Sequence, residues 1–156
     1  MFTDIICATD LSPRSDEALR LAVLLAAGNN ARLTVLNVHE EFMDKDEMVM
    51  LRVSVEEMQE RFREIAIAAK ARMAEAVTAV GVDDLKVEYL LREGKPGEGI
   101  IKATKEIHEK TGSADILVVM GTNGKHSLKE YLLGSVAEYI VHNCPYPVMV
   151  VPHPKD

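Results

Sequence analysis

The 156-residue chain is 47% apolar and 28% charged, ordinary proportions for a globular domain with a core of its own. Its net charge of −7 argues against a nucleic-acid or anionic-membrane surface, and no apolar run reaches the ~18 residues of a membrane span. Two cysteines, Cys7 and Cys144, without a C-x-x-C pair, and a start (MFTDIICATD) without a signal-peptide pattern, point to a reduced, cytoplasmic protein.

Asp4 to Thr9 (DIICAT) is an apolar run of buried-strand length. Ser12-Pro13 then suits a helix N-cap and first turn, and Leu19, Ala22, Val23 and Ala26 recur at helical spacing up to Gly28, the expected stop. Arg32 to Val38 (RLTVLNV) is a second strand, so strand, helix, strand favours a parallel pair. His39 to Val53, rich in acids and Met, reads as an irregular connection with a helical turn. Ser54 and Glu57 have the spacing of a capping box. The stripe Met58, Phe62, Ile65, Ala69, Met73, Ala76 and Val80 predicts a long amphipathic helix ending at Gly81.

Leu85 to Leu91 is a third strand, polar enough for a sheet edge. Gly94 to Gly97 reads as a turn, and Ile100, Ile101, Thr104 and Ile107 give one face of a helix stopping at Gly112. Asp115 to Met120 (DILVVM) is apolar throughout, as a strand covered on both faces would be. A last helix ends near Asn143, and Pro147 to Val151 is a fifth strand. The alternation predicts one α/β domain over residues 1–156, with a parallel sheet and helices on both faces.

Chemistry concentrates between Met120 and Val136 (MGTNGKHSLKEYLLGSV), in the order strand, glycine loop, helix start. Gly121 and Gly124 permit a left-handed turn and a close approach to the main chain. Gly134-Ser135 sets free N–H groups and the positive end of a helix dipole at one point, a seat for phosphate. Ligands of open parallel sheets bind at the carboxyl ends of strands, which adds Ala8-Thr9-Asp10 and Asn37-Val38-His39. The loop is not a P-loop, since His126 follows Gly124-Lys125, and no G-x-G-x-x-G follows the first strand. Structural readings stand beside these: a tight turn for the glycines, a cap for Asp10 or Ser135, and solvent-facing positions for Lys125 and His126. His39, His108, His142 and His153 have no paired ligand spacing, so no protein-built metal site is expected.

Gly121-x2-Gly124-x9-Gly134-Ser135, the opening strand into Ala-Thr-Asp-Leu-Ser, and the closing Cys-Pro-Tyr-Pro-Val-Met-Val-Val-Pro together resemble the ATP-binding branch of the universal stress protein family. The resemblance covers essentially the whole chain. It implies an open five-stranded parallel sheet of order 3-2-1-4-5, the adenine nucleotide alpha hydrolase-like fold. It implies that Gly121, Gly124, Gly134, Ser135 and Val136 surround ribose and phosphates. Ala8, Thr9 and Asp10 would meet the nucleoside, Val38 would lie against adenine, and Met120 would border the pocket. Asn123 departs from members that carry histidine there, which leaves less positive charge near the phosphates. The resemblance implies a homodimer, and Val148 to Val151 is the apolar edge strand expected to pair. ATP, or another adenine nucleotide, is the expected ligand, with Mg²⁺ or Mn²⁺ held mainly by phosphate and water.

No catalytic set is legible, so a regulatory or stress-response binding module is the first reading. A slow nucleotide phosphohydrolase on the same fold and a nucleotide-free dimeric scaffold are the alternatives.

Overall fold

The computed structural model describes residues 1–40, 45–122 and 133–154. Five parallel strands form one sheet: β1 (Asp4–Ala8), β2 (Arg32–His39), β3 (Val87–Glu93), β4 (Ile116–Gly121) and β5 (Val148–Val151), in the order β3-β2-β1-β4-β5. The five described α-helices are α1 (Asp16–Asn29), α2 (Lys45–Met50), α3 (Val55–Thr78), α4 (Pro96–Thr111) and α5 (Ser135–Asn143). This is the expected architecture. All of β1 is buried and β4 is buried up to Met120, as continuous apolar runs covered on both faces should be. The more polar β3 takes one edge and β5 the other.

Side chains alternate between two layers. Ile5, Cys7, Leu33, Val35, Leu117 and Val119 join Leu19, Val23 and Ala26 of α1 and Ala69, Met73 and Val77 of α3 in one core cluster. Ala8, Leu36, Val118 and Met120 join Ile100, Ile101 and Ala103 of α4 and Ala137 and Ile140 of α5 in a second. The period of two along each strand therefore sends successive residues to different helices.

Several boundaries differ from expectation. Gly28 lies within α1; the stop is Asn30, left-handed at φ 51°, whose N–H donates to Ala26 and Ala27 oxygens. Asn is among the few non-glycine residues that tolerate that conformation. Pro13–Ser15 forms a 3-10 turn before α1, and Ser12 caps it without a side-chain hydrogen bond. Strand β3 runs two residues later than expected, to Glu93. Helix α4 begins at Pro96, so Gly97 is its first turn rather than part of the preceding loop. The capping box is formed as expected: Glu57 N–H donates to Ser54 Oγ at 3.1 Å, and Ser54 N–H to Glu57 Oε2 at 2.9 Å.

Candidate functional site

The carboxyl ends of β1, β2 and β4 and the first turn of α5 meet at the crevice where the sheet order reverses between β1 and β4. Thr9 follows β1 and is buried. Its N–H donates to Leu36 O at 2.9 Å, and its O accepts from Asn37 Nδ2 at 2.9 Å. Its hydroxyl accepts Leu11 N–H at 3.0 Å and lies 2.7 Å from Ser15 Oγ. Ser15 Oγ–H donates to Ser12 O at 2.8 Å, so Thr9 must be the donor to Ser15. Thr9 is thus held by β2 through its main chain and by its own loop through its hydroxyl.

Asp10 is not a helix cap, since the N-caps of the 3-10 turn and of α1 are Ser12 and Ser15; its carboxylate folds its own loop instead. Its Oδ1 accepts Ser12 N–H at 2.9 Å and also the Ser12 hydroxyl. These bonds hold Leu11 at φ 67°, a left-handed conformation that is costly for a leucine. Strain of this kind persists only where surrounding contacts over-determine it.

Strand β4 ends at Gly121, which pairs with Val151. Gly121 does not adopt the left-handed backbone expected of it. Among the described residues a Cβ there would meet the main-chain oxygens of Arg14 and Val151, both at 3.9 Å, ordinary contact distances. The main chain at Arg14 thus runs beside the end of β4, a neighbour that pattern reading passed over.

Thr122 N–H donates to Val151 O at 3.1 Å, and Gly134 N–H donates to Thr122 O at 2.6 Å. This clamp ties the end of β4 to the start of α5. It also removes the Gly134 amide from the free donors expected there. The N-cap is Gly134, with φ −62° and ψ 160°, so Ser135 is the first helical residue and not the cap. The first helical bond runs from Glu138 N–H to Gly134 O at 2.9 Å, so Ser135, Val136 and Ala137 have N–H groups without a helical acceptor. Ser135 is exposed and Val136 half-buried at this positive helix end. Gly124, with Asn123, Lys125 and His126, lies outside the described residues.

Ala8, Val38, Met120 and Val136 come together on the α4/α5 face in one apolar cluster. Val38 is seated against α4: a Cβ on Gly99 would fall 2.7 Å from Val38 Cγ1. One on Gly97 would fall 2.4 Å from the Tyr139 ring of α5. Both glycines allow α4 to press its first turn onto β2 and α5. One cleft formed by described residues lies on the α1/α3 face. It measures ≈ 450 Å³ and is lined by Asp10, Leu11, Ser12, Asn37 and His39 and, on α3, by Ile65, Ala68 and Ala69. Of the residues expected to meet a ligand, this cleft contains Asp10 and not Val38. The α3 wall carried no signal in sequence, because its residues look like any helix face.

The universal stress protein family model matches residues 1–152. The chain belongs to that family. A universal stress protein of Thermus aquaticus, encoded in the QAH/OAS sulfhydrylase 3′ region, is 34% identical over 151 residues, spanning 97% of this chain and 99% of the relative. The solved structure of hypothetical protein MJ0577 superposes with TM-score 0.72 at 28% identity, covering 100% of this chain and 99% of the other. A universal stress protein solved in complex with cAMP superposes with TM-score 0.66 at 21% identity, covering 98% and 99%. These neighbours have the adenine nucleotide alpha hydrolase-like fold. Among the described residues this family member has no cluster of metal-ligating side chains and no helix long and apolar enough to cross a membrane.

Proposed function

We propose that this universal stress protein is a cytoplasmic, dimeric regulatory module that binds ATP or another adenine nucleotide. The observation that carries the reading is the junction of β4 and α5. A strand ending in a glycine faces a helix start with three N–H groups lacking helical acceptors, and the two are clamped by the Gly134–Thr122 hydrogen bond. Anions seat at such a point because main-chain donors and the helix dipole act together. The structural neighbour in complex with cAMP supports an adenine nucleotide as the ligand class.

In this reading Gly121, Gly124, Gly134, Ser135 and Val136 surround ribose and phosphates. The N–H groups of Ser135 and Val136 donate to phosphate oxygens. Gly134 contributes space and the clamp rather than its own donor. Thr9 and Asp10 act through the shape of their hydrogen-bonded loop, Ala8 and Met120 floor the site, and Val38 gives an apolar wall for the base. Mg²⁺ or Mn²⁺ would be held mainly by the phosphates and water. The residues contribute positioning of a bound nucleotide, which is binding rather than hydrolysis.

Pairing of two copies through Val148–Val151 completes the proposal. This edge strand is half-buried in one copy, and an uncovered apolar edge invites a second strand. Calorimetric titration with ATP and Mg²⁺ should give saturable binding in the low-millimolar range or tighter; absence of heat and of any copurifying nucleotide would end the nucleotide reading. Light scattering at tens of micromolar should give twice the chain mass, and a monomer would end the dimer reading.

A further inference from the structure

We infer that Asn37 is the residue that reads the nucleobase, and that the edge it reads enters the cleft on the α3 side of the β1 and β2 ends. The inference rests on the nucleotide reading above and adds to it a side chain that selects the base. Asn37 belongs to the α1/α3 face of β2, since Leu33 and Val35 at the same alternation are in that core layer. It is 7% exposed, a polar side chain at the top of an apolar stack. An amide has two N–H donors and a carbonyl acceptor. One N–H donates to Thr9 O at 2.9 Å, which holds the side chain in place and decides which of its ends is the nitrogen. Oδ1 accepts no hydrogen bond among the described residues, yet no buried side-chain N or O among them lacks a partner. Oδ1 is therefore open to space outside the protein, and the space that Asn37 borders is the cleft. A donor and an acceptor of one oriented amide remain for a ligand.

The cleft exists because α3 outruns the sheet. Its buried residues, Ala69, Met73 and Val77, lie in its second half, and none from Val55 to Ala68 is buried. The first half projects past the strand ends, and Ile65, Ala68 and Ala69 form a shallow apolar wall there. An apolar wall with a few placed polar groups is the usual construction of a small-molecule cleft, and ≈ 450 Å³ lies within the range of about 300–1,000 Å³ for such sites. Asp10 borders the same cleft from the end of β1, the strand between β2 and β4. Two strand spacings of about 4.8 Å separate β2 from β4, so a nucleotide with its base beside Asn37 brings its phosphates toward the β4–α5 junction.

The amide selects the base. A donor beside an acceptor matches a ligand edge with one acceptor beside one donor. Adenine offers that pair in its 6-amino group and the adjacent ring nitrogen, the pairing by which Asn recognises adenine in nucleic acids. Val38, next in the chain, has its side chain pressed against α4 and no polar group to offer, so the polar edge falls to Asn37.

Calorimetric titrations should compare ATP with purine riboside 5′-triphosphate, which lacks the 6-amino group. The native chain should favour ATP at least about tenfold. Asn37→Ala should bring the two close to parity, chiefly by weakening ATP. Equal weakening of both would show that Asn37 serves only the loop through Thr9 and would overturn the inference; an unchanged preference would do the same. A second variant leaves the Asn37 bond intact. The chain has no Trp, so Ala68→Trp, at an exposed position, sets a single indole on the cleft wall. ATP should change its emission saturably or be excluded by the ring, and tripolyphosphate, which has no base, should leave the emission unchanged. ATP binding at native strength with a silent indole would put the base elsewhere and overturn this inference while leaving the nucleotide reading intact. No binding of any nucleotide by the native chain would remove both.

Discussion

Replacing Gly121 by alanine separates the fold of this protein from the proposed use of its main chain. The new Cβ would lie 3.9 Å from the Arg14 and Val151 carbonyl oxygens, ordinary contact distances, and the backbone there is not left-handed. An alanine in a compatible conformation stabilises by about 0.4–1 kcal/mol, because the unfolded chain has fewer states. For a chain of this length that corresponds to a rise in Tm of roughly 1–4 °C. Nucleotide affinity should move the other way. In the proposed site a methyl group on the strand end would occupy space through which a phosphate would reach the α5 amides. A tenfold to hundredfold loss is expected, about 1.4–2.8 kcal/mol. Differential scanning calorimetry without ligand and isothermal titration with ATP and Mg²⁺ measure the two effects separately. A variant that melts normally and binds ATP as the parent does would refute the assignment of Gly121. A Tm lower by many degrees would instead mean that neighbouring atoms crowd the position.

Gly99→Ala should cost about 0–2 kcal/mol, because overpacking of about 1–3 kcal/mol against Val38 exceeds a helix-propensity gain of about 1 kcal/mol. Adding Val38→Ala should show favourable coupling in urea unfolding; strictly additive effects would mean that α4 shifts away from β2. Ser54→Ala should destabilise by about 0.5–2 kcal/mol and raise hydrogen exchange in the first turn of α3 only, while unchanged exchange there would show that the capping box contributes nothing in solution. Burial pushes the Cys7 thiol up from 9.0 to about 12. Above its ordinary value the unfolded chain releases a proton that the folded chain keeps, so stability should fall with rising pH across that window, by up to about 1.4 kcal/mol per pH unit. Urea unfolding of Cys7→Ala should lack this slope between about pH 9 and the base limit of the protein, and identical slopes would refute the assignment.

Backbone order was legible because each element carries its own signal. Continuous apolar runs gave β1 and β4, a period near four gave α3, and Ser54 with Glu57 gave a cap that needs no partner beyond three residues. The resemblance supplied the order of the strands and the expected ligand residues. Boundaries failed where two residue types could end the same helix, as with Gly28 and Asn30: only the packed chain shows which one turns left-handed. The elbow between α2 and α3 was half-read, with the capping box visible and the exposure of Val49, Met50 and Leu51 not, since apolar residues look alike in sequence whether covered or bare.

The sequence by itself determined a parallel α/β protein with glycines where β4 meets α5, because local propensity and periodicity act over a few residues. Tertiary structure alone decided how these segments meet. It placed Val38 on one face and the open cleft beside Asp10 on the other, pressed Gly99 onto Val38, and spent the Gly134 amide on Thr122 while leaving those of Ser135 and Val136 at the helix end. Those outcomes depend on contacts between segments far apart in the chain, and such contacts exist only once the sheet has brought the segments together.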